Sequence, residues 1–102
     1  MKIYISGPMT GMKSHNRPAF NTAAKRLRKL GHKVISPAEL DAKTKKQLSW
    51  NQCLRRDIRE LVKCTDVALL PGWEDSKGAH LEVYISKKLD IPVHPLNHYL
   101  RR

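Results

Sequence analysis

Ile3, Tyr4 and Ile5 follow one another without a break between Lys2 and Ser6. A continuous apolar run of this length predicts a strand buried on both faces. Gly7-Pro8 breaks the run, and Gly11 keeps the next turn open. Phe20, Ala23, Ala24, Leu27 and Leu30 then recur at helical spacing. Pro18 suits the first turn of that helix, and Gly31 its left-handed stop. His32 to Ser36 predicts a second strand ended by Pro37, and Asp41 to Leu48 reads as a polar surface segment.

Ser49 is placed as an N-cap for a second helix. Leu54, Ile58, Leu61 and Val62 form its apolar stripe, with Trp50 one turn earlier. Asp66 leads into Val67-Ala68-Leu69-Leu70, a continuously apolar strand expected at the sheet centre. Pro71-Gly72 ends it, and Trp73 to Gly78 is a polar loop. Ala79 to Leu89 predicts a third helix, with Leu81, Tyr84, Ile85 and Leu89 toward the core. Asp90-Ile91-Pro92-Val93 turns the chain into a last short strand, and His94 to Arg102 is a brief helix or a tail. Alternating strands and helices with right-handed crossovers predict one α/β domain over residues 1–102, a three-layer sandwich on a parallel sheet. The expected strand order is 2-1-3-4, which puts a crevice between the ends of strands 1 and 3. Gly7 to Arg17 and Pro71 to Glu82 should meet there.

Composition changes the picture in three respects. At 102 residues the core is modest, so a partner subunit would add burial. No apolar run approaches a membrane span, and Met1 to Ser6 is strand-like with no signal-type segment, so a cytoplasmic protein is expected. Cys53 starts and Cys64 ends the same predicted helix, too far apart to bridge, and no metal-ligand spacing is present. The net charge of +11 would attract polyanions or phosphorylated small molecules. Much of it falls on exposed helical positions such as Lys25, Arg26, Arg28 and Lys29, where a solvated basic surface is the plain explanation. Aromatic residues are too sparse for a nucleic-acid stacking platform.

Two loops could carry chemistry. In Ser6-Gly7-Pro8-Met9-Thr10-Gly11 the glycines permit close backbone approach to a ligand, but neither nucleotide-binding glycine pattern is present. Met9 and Met12 would line an apolar wall or cover the core edge. In the second loop, Ser76 and Gly78 open a helix whose first amides suit a phosphate or sugar hydroxyl. Glu82, on the first turns of that helix, could reach the crevice or be an ordinary surface glutamate. Asp57, among Arg55, Arg56 and Arg59, is a second carboxylate or an ion-pair partner. Two carboxylates across one pocket suit glycosidic chemistry. His80 is two positions from Glu82 and should face elsewhere on the helix.

With these residues in place, the chain resembles the nucleoside 2-deoxyribosyltransferase-like superfamily, and most closely its small phage and prophage members. The matching stretches are Ile3 to Pro8, Arg56-Asp57, Cys64 to Pro71, Ser76 to Glu82 and Leu89 to Val93. The resemblance implies a flavodoxin-like (Rossmann-like) sheet, a homodimer or larger assembly, and no metal or organic cofactor. Glu82 stands at the position of the family's nucleophile, and Asp57 where an aspartate contacts the nucleoside or assists base departure. Tyr4 aligns with an aromatic residue near the sugar, while Asp75 or Ser76 falls near the sugar or its 5′ group. Pro8 replaces one of the serines that hold a 5′-phosphate in the hydrolase branch.

The leading expectation is cleavage or transfer of an N-glycosidic bond in 2′-deoxynucleosides or their 5′-monophosphates, with Glu82 and Asp57 catalytic. Tyr4, Gly7, Pro8, Met9, Trp73, Asp75, Ser76 and Gly78 would bind substrate. Trp50, Trp73, Tyr84 and Tyr99 are available for a subunit interface or pocket wall. A non-catalytic nucleotide- or protein-binding domain is the second expectation. A basic nucleic-acid-binding accessory protein is the third, motivated by charge alone.

Overall fold

The computed structural model describes residues 1–101. Strand β1 (Lys2–Ser6) pairs in parallel with β2 (Lys33–Ile35) on one side and β3 (Asp66–Leu69) on the other. Strand β4 (Val93–Pro95) extends the sheet beyond β3, again in parallel, giving the order 2-1-3-4. Helices cover both faces, so the architecture is the three-layer flavodoxin-like sandwich.

Strand periodicity divides the core in two. Ile3, Ile5 and Ala68 point to one face, where Phe20, Ala23, Ala24 and Leu27 of α1 (Arg17–Lys29) pack on them. Tyr4, Val67 and Leu69 point to the other, against Leu61 of α3 (Trp50–Leu61) and Val83 of α4 (Lys77–Lys88). Each large side chain fully buried in this way contributes ~1.5–3 kcal/mol. Gly7, just past β1, is a close-approach position: a Cβ there would lie 2.8 Å from Leu70 Cβ.

The helix starts follow local chemistry. Ser49 closes a reciprocal capping box with Gln52: the Gln52 backbone N–H donates to Ser49 Oγ at 3.2 Å, and the Ser49 backbone N–H donates to Gln52 Oε1 at 2.9 Å. Ser76 caps α4 through Ala79 N–H at 3.2 Å. Gly72, in the left-handed region at φ 86°, turns the chain from β3 toward α4.

Several expectations need correction. Pro37 ends β2 but also begins a helix, α2 (Pro37–Lys43), because proline fits a first helical turn. The polar segment Asp41 to Leu48 therefore starts inside α2 and forms the wall of a cleft. The buried face of α4 is Ala79, Glu82, Val83 and Ser86, whereas Leu81, Tyr84 and Leu89 are exposed. With that face turned to the core, the larger Leu81 and Tyr84 are rotated outward. Val62 likewise falls past the end of α3 and is exposed. The chain ends in α5 (Leu96–Leu100), where buried Tyr99 donates to Asp66 Oδ2 at 3.3 Å. Tyr99 is thus a core residue and unavailable to an interface. Arg102 lies outside the described residues. Among those described, no helix is long and apolar enough to cross a membrane.

Candidate active site

A cleft of about 530 Å³ opens at the carboxyl ends of β1 and β2, lined by Gly7 after β1 and Pro37 after β2. The residues directly after β3 do not line it, so the crevice is displaced from the expected place between strands 1 and 3. Its floor carries Glu82, and its walls come from the loop after β1, the α2–α3 segment and the start of α4. The turn phase of α4 puts Glu82 on the same face as Ala79, Val83 and Ser86, and only 5% of the residue is exposed.

Strand β1 supplies the partners of Glu82. Tyr4 and Ser6 are two apart, so both hydroxyls leave the same face of the strand. Tyr4 donates to Glu82 Oε2 at 2.6 Å, and Ser6 donates to Oε1 at 2.7 Å. Short bonds of this kind favour the charged carboxylate. Burial opposes them and wins: it pushes the Glu82 pKa up to about 7, with a further upward push from Asp57. The Tyr4 hydroxyl is held well above its ordinary value, first by burial and then by the charge of Glu82. Tyr4 therefore stays a donor at neutral pH.

Asp57 is also buried and lines the same cleft. Burial raises its pKa to about 6, and the Arg56 guanidinium beside it limits the rise. Arg56 Nη2 lies 2.9 Å from Asp57 Oδ1 and 2.6 Å from Asp41 Oδ1. The ion-pair and site readings of Asp57 are thus compatible in space. Arg17 and Lys46 add positive charge to the walls, which His15 and Trp50 also line, and Lys77 Nζ sits 5.2 Å from the centre of the Trp50 ring. Among the described residues, no group of three or more His, Cys, Asp or Glu side chains is placed to hold a metal.

Of the residues singled out from sequence, Gly7, Met9, Asp57, Ser76, Gly78 and Glu82 meet on this cleft. Tyr4 lies behind Glu82, fully buried, and touches the site through its hydroxyl. Pro8, Trp73 and Asp75 are off the cleft wall. Pro8 is buried and its carbonyl accepts from Asn16 Nδ2 at 2.9 Å, Trp73 packs on the second core cluster and the His80 ring, and Asp75 is exposed. Ser6 was missed by sequence reasoning, although its period-two spacing from Tyr4 carried the signal. Asp41, Gln47 and Leu48 were missed as wall residues because their segment is polar and lacks periodicity.

The family described as a domain of unknown function (DUF4406) matches residues 1–94. The chain belongs to this family. The DUF4406 match spans all four strands up to His94 and every residue of the cleft named above. No curated protein matches. Among solved structures, a 2-deoxyribosyltransferase from the psychrotolerant bacterium Bacillus psychrosaccharolyticus superposes with a TM-score of 0.73 at 23% identity. The alignment covers 91% of this DUF4406 chain and 69% of that enzyme. At this identity the likeness is one of fold.

Proposed function

We propose that this protein acts on the N-glycosidic bond of 2′-deoxynucleosides or their 5′-monophosphates. The observation carrying the proposal is a buried glutamate at the floor of an open cleft, held by two hydroxyl donors and faced by a second buried carboxylate. An ionised Glu82 oxygen attacks C1′ of the sugar. The C1′–N bond breaks, its electron pair goes to the base nitrogen, and Asp57 gives the departing base its proton. The glycosyl ester on Glu82 is then opened at C1′ by water, which completes hydrolysis, or by the nitrogen of a second base, which completes transfer. In either case the incoming nucleophile returns a proton to Asp57, and Glu82 leaves as the carboxylate. The reactive form has the proton on Asp57 and the charge on Glu82. Values of about 6 and about 7 bracket a bell-shaped rate profile with its maximum between them.

The fold shared with a 2-deoxyribosyltransferase supports this reading. The test is incubation with a panel of deoxynucleosides and 5′-monophosphates, with and without a second free base, followed by chromatography. Free deoxyribose indicates hydrolysis, and an exchanged nucleoside indicates transfer. Binding without base release across the panel would replace the proposal with a nucleotide-binding role. We further propose a homodimer that covers the exposed Leu81 and Tyr84 of α4. A monomeric mass by light scattering at micromolar concentration, with and without nucleoside, would refute it. The free thiols of Cys53 and Cys64 support a cytoplasmic location.

A further inference from the structure

Arg56 joins one of the two carboxylates to the far wall of the cleft. Its guanidinium reaches three residues on two sides. Nη2 donates to Asp41 Oδ1 at 2.6 Å, Nη2 and Nε donate to Asp57 Oδ1 at 2.9 and 3.1 Å, and Nη1 donates to Thr44 Oγ1 at 3.4 Å. Thr44 in turn donates to the Leu40 carbonyl at 2.8 Å. One planar group therefore fastens α3 to the end of α2. Adjacent residues on a helix do not normally face each other. Arg56 meets Asp57 only because its side chain folds back, and the contacts with Asp41 and Thr44 hold it there.

All the bonds from Arg56 to Asp57 fall on Oδ1, and among the described residues Oδ2 accepts none. The structure assigns Arg56 as a positioning residue: it fixes Asp57 with Oδ2 left for substrate, and it latches the α2–α3 wall through Asp41 and Thr44. The first half rests on the proposed role of Asp57; the latch does not. A lysine could not substitute, because a single ammonium lacks the fork that spans both sides. The groups facing Asp57 are Arg56 and Cys53 on its own helix, Asp41 from α2, Glu82 from α4 and Tyr4 from β1. Arg56 is the cation among them, and the one that lowers the pKa of Asp57.

The test needs no substrate. The Asp57 carboxyl is titrated by carbon NMR, and amide exchange is followed across residues 41–48, in wild type, R56Q and R56K. In R56Q the Asp57 midpoint should rise by about one pH unit or more, the size expected when an adjacent opposite charge is removed. Protection of the Thr44 amide, which donates to the Asp41 carbonyl at 3.1 Å, should fall. R56K keeps the charge, so the midpoint should stay closer to wild type while the protection is still lost. Should R56Q fail to fold, R56K carries the latch and R56M in a stabilising osmolyte such as sucrose carries the titration. An unchanged midpoint in folded R56Q overturns the positioning of Asp57, and unchanged exchange overturns the latch. Base release by wild type with unchanged titration would spare the proposed reaction and remove Arg56 from it. Altered titration without base release by any variant would do the reverse. Where base release is found, R56K should lower kcat roughly tenfold with KM little changed, less than the ~100-fold or more that a general acid supplies.

Discussion

Replacing Glu82 with glutamine tests the burial of this side chain independently of any reaction. Burial lifts its pKa from 4.5 to about 7, so the folded chain holds the proton more tightly than the unfolded chain does. The stability that comes with this is complete below pH 4.5 and is lost as pH rises through about 7. A rise from 4.5 to about 7 corresponds to roughly 3 kcal/mol. Glutamine is neutral throughout. Its carbonyl oxygen can accept from one of the Tyr4 and Ser6 hydroxyls, and its amide can donate to the other. Asp57 titrates in both proteins, so only its coupling to Glu82, a smaller effect than burial, enters the difference. Urea unfolding at pH 4.5 and at about pH 8.5 should therefore show E82Q gaining roughly 3 kcal/mol relative to wild type over that interval. Parallel pH dependences for the two proteins would refute the burial argument. The same variant should keep its circular dichroism and nucleoside binding and lose at least ~100-fold in turnover. Wild-type turnover by folded E82Q would remove Glu82 as nucleophile.

The other predictions concern the groups around this side chain. Tyr4→Phe removes a hydroxyl donor from the carboxylate; a charge-assisted bond worth ~1.5–3 kcal/mol should move the Glu82 midpoint up by about one to two pH units, read by carbon NMR. An unmoved midpoint would mean the hydroxyl does not stabilise the charge. Asp57→Asn should lower turnover and turn the bell-shaped profile into one that rises through about 7 to a plateau, since only the ionisation of Glu82 remains. Persistence of the alkaline limb in D57N would exclude Asp57 as the acid. Gly7→Ala puts a Cβ 2.8 Å from Leu70 Cβ and should destabilise by ~1–3 kcal/mol in urea unfolding. Equal stability would mean that β1 and the Leu70 side chain can part at that point without cost.

The sheet was legible because its central strands β1 and β3 carry short continuous apolar runs followed by Gly7-Pro8 and Pro71-Gly72, and because β-α alternation leaves few topologies open. The position of Glu82 in the sequence was legible, but its burial was not. An apolar stripe of Leu81, Tyr84 and Ile85 competes with one of Ala79, Val83 and Ser86, and hydrophobicity alone selects the larger side chains. The folded chain buries the smaller ones, together with Glu82, and that choice is a property of packing between elements. The same limit hid the α2–α3 wall. Periodicity within one helix cannot report that Arg56 meets Asp41, fifteen positions away on another helix. Such a contact depends on how two short helices cross, which is set by the sheet beneath them. Residues that act by burial and cross-element contact therefore emerge only from the folded chain. Tyr4 and Ser6 stand between the two cases: period-two spacing puts them on one face, and only the rotation of α4 brings Glu82 to meet them.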